Sequence, residues 1–498
     1  MKFSLNHSIQ SYPDLLIVPI AKQEASLRCL ESIGKITNVP LEVLKTDFEA
    51  THKESQTLYF QENGTNKRIV LLGLGKQPGF KEIISAFRSF GYRRKSSLPA
   101  STGVSFIFGN VEENAALWVE AAVNGLELGN YEIGLYKTDT DEKATPATDL
   151  AVQVFVAQNE KEAAQIAIDR GIKIAATQME IFDLVNAPSN KKTPQTLADW
   201  AMRSGKKHDY AVQVLNQKEI EELGLHGLLA VNRGSENPPT FIIMEYRPSS
   251  PAKKKIGLVG KGVTFDTGGL SIKPSANMHY MKSDMGGAAA VMGTLEMAAK
   301  LQLPFHIMGV VPATDNSVDA KSVKPGDVIG SYDGKTIEVI DTDAEGRLIL
   351  ADGLAYTVRH FNPDILIDLA TLTGSCIRTL GTYAGGLFSN NDELANDLLA
   401  SGQSTGERLW QLPIWEEYRN EMKSDVADIK NFSGAPSAGA ITAAKFLEAF
   451  IQDHPVWAHM DIAGVAVSDS EFSSQKSATA FGVRLMTQYL QQLAEKKA

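Results

Sequence analysis

Apolar residues along this chain fall into two patterns. Continuous runs bounded by turns read as buried strands: Leu15–Ile20, Arg68–Gly75, Val104–Phe108 and Ala151–Val156. Apolar positions three and four apart read as helices over Phe80–Phe90 and Ala115–Leu128. This alternation predicts an α/β domain over residues 1–160. Gly73-Leu-Gly75-Lys76 reads as a tight turn rather than a phosphate cradle, and the polar stretch Thr138–Thr148 as a loop. From Glu160 to Asn186, Ala163, Ala164, Ile166, Ala167, Ile172 and Ile174 alternate with charges, which predicts a connecting helix over 161–185. Pro188 ends it by restricting the residue before it. A second domain, 186–498, opens with the helix start Thr193-Pro194. Strands follow at Val212–Leu215, Phe241–Tyr246, Ile256–Gly260, Ile307–Val311 and Ile365–Leu369, with helices between them. The expected architecture is a three-layer α/β/α domain around a mixed sheet.

Within that pattern, polar residues interrupt apolar segments at a few points. Asp341-Thr-Asp-Ala-Glu-Gly-Arg347 lies between the strand-like Thr336–Ile340 and the helix-like run beginning at Leu348. Such junctions are where α/β proteins place their chemistry. In extended backbone Asp343, Glu345 and Arg347 share one face. Alone, the stretch reads equally as a solvated acidic turn with a local salt bridge. Asp266 and Asp284 are two further carboxylates among glycines and apolar residues. Four carboxylates in segments that look buried are too much bare negative charge, and a pair of divalent cations would neutralise them.

Composition narrows the class. The chain has 498 residues, 43% hydrophobic and 22% charged, and 49 basic against 59 acidic side chains give a net charge of −10. That predicts a globular protein of two or more domains with no generic affinity for nucleic acid. No run of about 18 apolar residues predicts a membrane span, and the N-terminus lacks a secretory apolar core. Cys29 and Cys376 suggest no disulfide framework, which fits a reducing cytoplasm. The Lys253–Lys255 run reads as a solvated lead-in to a strand.

Several motifs occur together in one order: Val259-Gly-Lys261-Gly-Val-Thr-Phe-Asp266-Thr-Gly-Gly, Ser271-Ile-Lys273-Pro, Lys282-Ser-Asp284-Met-Gly-Gly-Ala-Ala and Thr342-Asp343-Ala-Glu345-Gly-Arg347-Leu. Asp368-Leu-Ala-Thr-Leu-Thr-Gly374, Ser424–Asn431 and Trp457-Ala-His-Met-Asp-Ile-Ala-Gly464 continue the series. From about Asp183 onward the chain resembles the leucyl aminopeptidase (cytosol aminopeptidase) family of dinuclear metallo-exopeptidases. The resemblance implies two divalent ions per subunit, Mn2+ or Zn2+ before Co2+ or Mg2+. One would be held by Lys261, Asp266, Asp284 and Glu345. The other would be held by Asp266, Asp343 and Glu345, with the Asp343 carbonyl contributing. A lysine ligand must be a neutral amine, so the ion has to depress its pKa. Without the motif, Lys261 reads as an exposed loop lysine.

By the same resemblance, Lys273 donates to the scissile carbonyl oxygen, and Arg347 holds a bicarbonate that accepts the proton of the attacking water. A free α-amine bound at one metal restricts cleavage to the first peptide bond. Met281, Thr371, Gly374, Ala463 and Ala466 would line an apolar pocket for a leucine-sized side chain. Read without the family, Lys273 is a surface lysine before Pro274, Arg347 a salt bridge to Asp343 or Glu345, and the pocket residues ordinary packing. A homohexamer, peptide substrates with a free N-terminus and a cytoplasmic role in peptide turnover follow from the resemblance alone.

The chain departs from the family pattern in three places. Asp341 stands where asparagine is common, Asp315-Asn-Ser317 replaces Glu-Asn-Met, and Ala466 replaces a bulkier residue of some relatives. Other chemistries lack their motifs. Gly257-Leu-Val-Gly-Lys261-Gly has no Walker spacing, Gly434–Gly439 is not a nucleophile elbow, and none of the nine histidines forms His-Glu-x-x-His. Some members of the family also bind DNA, but no basic stripe appears in residues 1–160, and the acidic balance argues against it here.

Overall fold

The computed structural model describes residues 1–24, 26–108, 111, 115–134, 136–138, 150–469 and 471–496. Of the polar stretch Thr138–Thr148, only Thr138 lies among them. The chain divides into two compact units, Met1–Met179 and Glu180–Ala498, and the helix Lys161–Asn186 contains the division.

In the first unit the apolar runs become the middle of a sheet. Its strands are β1 (Lys2–Asn6), β2 (Leu15–Ala21), β3 (Ser55–Glu62), β4 (Thr65–Gly75), β5 (Ser101–Ser105) and β6 (Ala151–Phe155), in the order β1-β6-β5-β2-β4-β3. Among the described residues only β3 runs antiparallel to its neighbour. All seven residues of β2 are buried, as a strand with neighbours on both edges and cover on both faces requires. The helices Phe80–Arg94 and Ala115–Leu128 form where the spacing places them. Strand β5 sits three residues earlier than the Val104–Phe108 run indicates.

The second unit is built on a nine-stranded sheet. In chain order its strands are β7 (Ala211–Leu215), β8 (Thr240–Tyr246), β9 (Lys255–Gly260), β10 (Gly262–Asp266) and β11 (His306–Asn316). A small separate sheet uses β12 (Val328–Ile329), β13 (Ile337–Glu338) and β17 (Ile429–Lys430). The main sheet continues with β14 (Ile365–Ala370), β15 (Gly385–Ser389), β16 (Leu409–Gln411) and β18 (Trp457–Asp461). Its order is β16-β15-β18-β14-β9-β11-β8-β7, with β10 also on β11. The centre is parallel, while β8 on β11, β7 on β8 and β15 on β18 are antiparallel, so the sheet is mixed.

Helices cover both faces of this sheet. A Cβ placed on Gly353 would meet Val259, and one on Gly260 would meet Ala288. Val259 and Gly260 are consecutive in β9 and point to opposite faces. The helix Gly346–Phe361 therefore lies on one face and the helix Gly286–Lys300 on the other. The core under the first contains Val259, Val310, Leu348, Leu354 and Leu366. Cys29 and Cys376 are buried free thiols. Among the described residues no helix is long and apolar enough to cross a membrane.

Candidate metal centre

The parallel strands end together, and the charged residues emerge from those ends. Lys261 follows β9, Asp266 closes β10, Thr371 follows β14, and Ala463 lies just past β18. This is the edge where open α/β sheets bind ligands. The Lys261 backbone is fixed on two sides, donating its N–H to Leu369 O (3.1 Å) and accepting from Ala288 N–H (2.9 Å). Its side chain passes over Gly346, where a Cβ would lie 2.7 Å from Nζ, so only glycine fits there.

Two glycines turn the chain back after Asp266. Gly268 (φ +87°) and Gly269 (φ +64°) adopt left-handed backbone, and Lys273 N–H returns to Thr267 O at 2.9 Å. The Lys273 ammonium then reaches Asp266 Oδ2 at 2.7 Å and also contacts Asp343. That overturns the surface-lysine alternative, because its side chain is only 21% exposed. Lys261 is buried and lies 2.7 Å from Asp284 Oδ2 and 2.8 Å from Glu345 Oε1. That overturns the exposed-loop alternative. Asp266, Asp343 and Glu345 each place a carboxylate oxygen within 4.8 Å of the others.

The Asp341–Arg347 stretch is not extended. Thr342 and Asp343 form a turn, and Glu345 is already helical (φ −77°, ψ −37°) as the residue before the helix Gly346–Phe361. The strand before it is also shorter than the Thr336–Ile340 run suggests, with only Ile337 and Glu338 paired as β13. Asp343 and Glu345 converge through the turn rather than by strand alternation. Asp341 holds that turn, its Oδ1 accepting the Asp343 N–H at 2.8 Å. Asparagine can accept the same bond, so the geometry survives the substitution and only a negative charge is added.

The electrostatics are those of a cation site. Four buried or half-buried carboxylates meet two ammonium groups, which leaves two negative charges over. Arg347, within electrostatic reach of Glu345, offsets one of them. Burial, with Asp266 and Glu345 nearby, pushes the Asp343 carboxyl up to about 7. Burial also raises Asp284 well above the usual carboxylate range despite Lys261. Burial alone would lower Lys261, but Asp284, Glu345 and Asp266 outweigh it and hold the ammonium above its ordinary value. A neutral amine here therefore requires a cation to take over the neutralising role. Asp284 Oδ2, Asp343 Oδ1 and Glu345 Oε1 have no partner at hydrogen-bond geometry, although each contacts a lysine. Hard oxygen donors with spare lone pairs in a net-negative cluster suit divalent ions.

A cavity of about 530 Å³ opens onto this centre. Eleven of the twelve residues singled out from the sequence line it: Lys261, Asp266, Lys273, Met281, Asp284, Asp343, Arg347, Thr371, Gly374, Ala463 and Ala466. Glu345 lies behind the wall against Lys261. Thr371 and Ala466 converge around Gly286, where a Cβ would stand 3.2 and 3.1 Å from them. Arg347 is buried and donates from Nη1 to Asn431 O at 2.6 Å, while its Nε has no partner. Among the described residues no ion pair joins it to Asp343 or Glu345, so the salt-bridge alternative is not what the structure contains.

Comparison with known proteins matches this chain over both units. The model of the cytosol aminopeptidase family catalytic domain matches residues 181–487, and that of the family's N-terminal domain matches residues 21–140. A "probable cytosol aminopeptidase" of Chloroherpeton thalassium is 43% identical over 98% of this chain and 99% of its own length. Relatives with the same name are 54% identical over 64% of each chain in Chlorobaculum parvum and 45% over 75% of each in Syntrophotalea carbinolica. The chain belongs to the cytosol aminopeptidase family. Membership makes it a metal-dependent hydrolase of the leucyl aminopeptidase type. The N-terminal match extends the family to a part of the chain where no motif announced it.

Three supporting residues had no role assigned from sequence. Asn316 Nδ2 donates to Asp266 Oδ1 (2.9 Å) and to Thr342 O (3.0 Å), tying a ligand candidate to the turn. Asn431 Nδ2 donates to Asp341 O (2.7 Å), while its Oδ1 accepts from Ile340 N–H (2.8 Å). Asp461 accepts from the Leu372 and Ala463 N–H groups and from the Thr373 hydroxyl (2.6 Å). Both Asn316 and Asn431 stand in segments whose motifs were noticed, but each bond spans 26 or more residues of chain.

Proposed function

We propose that this chain removes N-terminal residues from peptides, preferring leucine or another apolar side chain, as part of cytoplasmic peptide turnover. The observation that carries the reading is the convergence of four carboxylates and two lysines at one cavity wall beside a small-residue recess. Lys261, Asp266, Asp284 and Glu345 would hold one divalent ion, and Asp266, Asp343 and Glu345 the second, with manganese or zinc favoured over cobalt or magnesium. Such a pair, when bound, supplies Lewis-acid polarisation of a carbonyl and acidifies water.

The chain's own residues do the rest. Lys273 projects its ammonium into the cavity, where it can donate to an oxygen that gains negative charge. Arg347 offers unfilled donors to a small anion, and a bicarbonate held there would take up the proton from water. Gly374, Ala463 and Ala466 leave room for a leucine-sized side chain, with Met281 as an adaptable wall. Asp461 fixes the loop carrying Thr371 and Thr373, which keeps that wall in register with the carboxylates.

A substrate panel tests the reading. Leucyl dipeptides with a free amine are expected to be cleaved at the first bond, and their N-acetylated forms at less than about 1% of that rate. Equal cleavage of both forms would remove the exopeptidase reading. The homohexamer is carried over from the family. Light scattering on active protein is expected to give about six times the chain mass of 54.1 kDa, and a monomer mass with full activity would sink it.

A further inference from the structure

Among the described residues, the cavity contains one cation that the proposed reaction does not use. Four positively charged side chains line it: Lys261, Lys273, Arg347 and Arg378. The two lysines contact carboxylates, and Arg347 is buried against Asn431 O. Arg378 is exposed, and among the described residues no carboxylate lies within ion-pair distance of it. It makes a long polar contact, from Nη2 to Ser375 Oγ at 3.4 Å.

Its place in the wall is fixed. The helix Gly374–Leu380 is capped by Thr373, whose hydroxyl accepts the Cys376 N–H at 3.0 Å and donates to Asp461 Oδ2 at 2.6 Å. Arg378 is one turn after Gly374, and helical side chains lean back toward the preceding turn. A Cβ on Gly374 would lie 3.5 Å from Arg378 Nη1. The guanidinium thus lies over the side-chain-free residue assigned to the substrate recess. A leucine side chain would leave that cation unmatched, whereas a carboxylate reaching the same wall would pair with it through charge-assisted hydrogen bonds.

We propose that Arg378 is a specificity-determining residue that extends the substrate range to peptides with an N-terminal glutamate. This rests on the aminopeptidase reading above and on the recess being the side-chain pocket. Glutamate places its carboxylate about one bond further out than aspartate, so it is the better fit to a group beyond Gly374.

The test uses α-glutamyl- and glutaminyl-p-nitroanilide, which differ only in charge and carry no other carboxylate. Wild type and R378M are compared by the ratio of their glutamyl to glutaminyl kcat/KM. The ratio is expected to fall roughly tenfold in R378M, to be partly restored in R378K, and to shrink with added salt in wild type. A ratio that R378M leaves unchanged overturns the proposal. Leucyl-p-nitroanilide hydrolysis by wild type, run in parallel, reports separately on the aminopeptidase reading. If it fails, calorimetric binding of free glutamate against glutamine makes the same comparison without turnover. Equal discrimination in both proteins overturns the proposal there too. Arg378 is exposed, so R378M is expected to fold, and its circular dichroism checks this.

Discussion

Removing divalent metal with a chelator is expected to lower leucyl-p-nitroanilide hydrolysis to background, and adding manganese or zinc to restore it. The argument is one of charge. The carboxylates of Asp266, Asp284, Asp343 and Glu345 outnumber the ammonium groups of Lys261 and Lys273, and burial pushes Asp343 and Asp284 upward. A site so arranged gains from cations that take up the excess charge. The lysine contacts nevertheless give each carboxylate a counter-charge, so the chain should stay folded when stripped. Loss of activity would then be loss of chemistry rather than of structure. The melting temperature should still fall, because an ion bound only by the folded state contributes about 2.7 kcal/mol at a hundredfold excess over its Kd. Elemental analysis should find two ions per chain in restored enzyme. Full activity at less than about 0.1 ion per chain would sink the two-metal reading. Restoration by one ion would instead reassign the ligand set between the two sites.

How much of this was legible depended on where the signal sat. Strands β2, β4, β9, β11 and β14 lie inside sheets and carry continuous apolar runs, which the sequence displays directly. Strands β1 and β3 form the two edges of their sheet, and their Lys2–Asn6 and Ser55–Glu62 sequences mix polar and apolar residues without a run to mark them. The carboxylates were legible because a charge among glycines and apolar residues is costly unless compensated. Their convergence was legible, but the route was misread. Alternation along an extended run placed Asp343, Glu345 and Arg347 on one face, whereas the turn held by Asp341 Oδ1 brings Asp343 and Glu345 together and sends Arg347 to Asn431. Asn316, Asn431 and Asp461 stayed silent for a different reason. Their partners are distant in sequence, and neither hydropathy nor periodicity records a pairing across the sheet edge. Arg378 was silent because a lone arginine in a short helix has no pattern; only its position above Gly374 gives it meaning.

Lys273→Met is expected to lower kcat for leucyl-p-nitroanilide by roughly 10²–10³, with a much smaller change in KM. The lysine lies on the cavity wall with its ammonium at 2.7 Å from Asp266 Oδ2, and it also contacts Asp343. Two roles follow from that position, and the substitution separates them. As a donor to the carbonyl oxygen, Lys273 acts where charge develops, and removing such a donor costs about that factor in turnover. As a counter-ion only, it would matter to charge balance, and its loss would show in metal content and melting temperature. Methionine keeps much of the length and loses the charge, so the recess is not opened. The donor role requires a fall in kcat while two ions per chain are retained. A kcat within about threefold of wild type, at full metal content, would remove Lys273 from the reaction. A loss of bound metal in step with activity would instead make it a residue that holds Asp266 and Asp343 in place. The backbone bond from Lys273 N–H to Thr267 O does not depend on the side chain, so the turn through Gly268 and Gly269 should persist in either case.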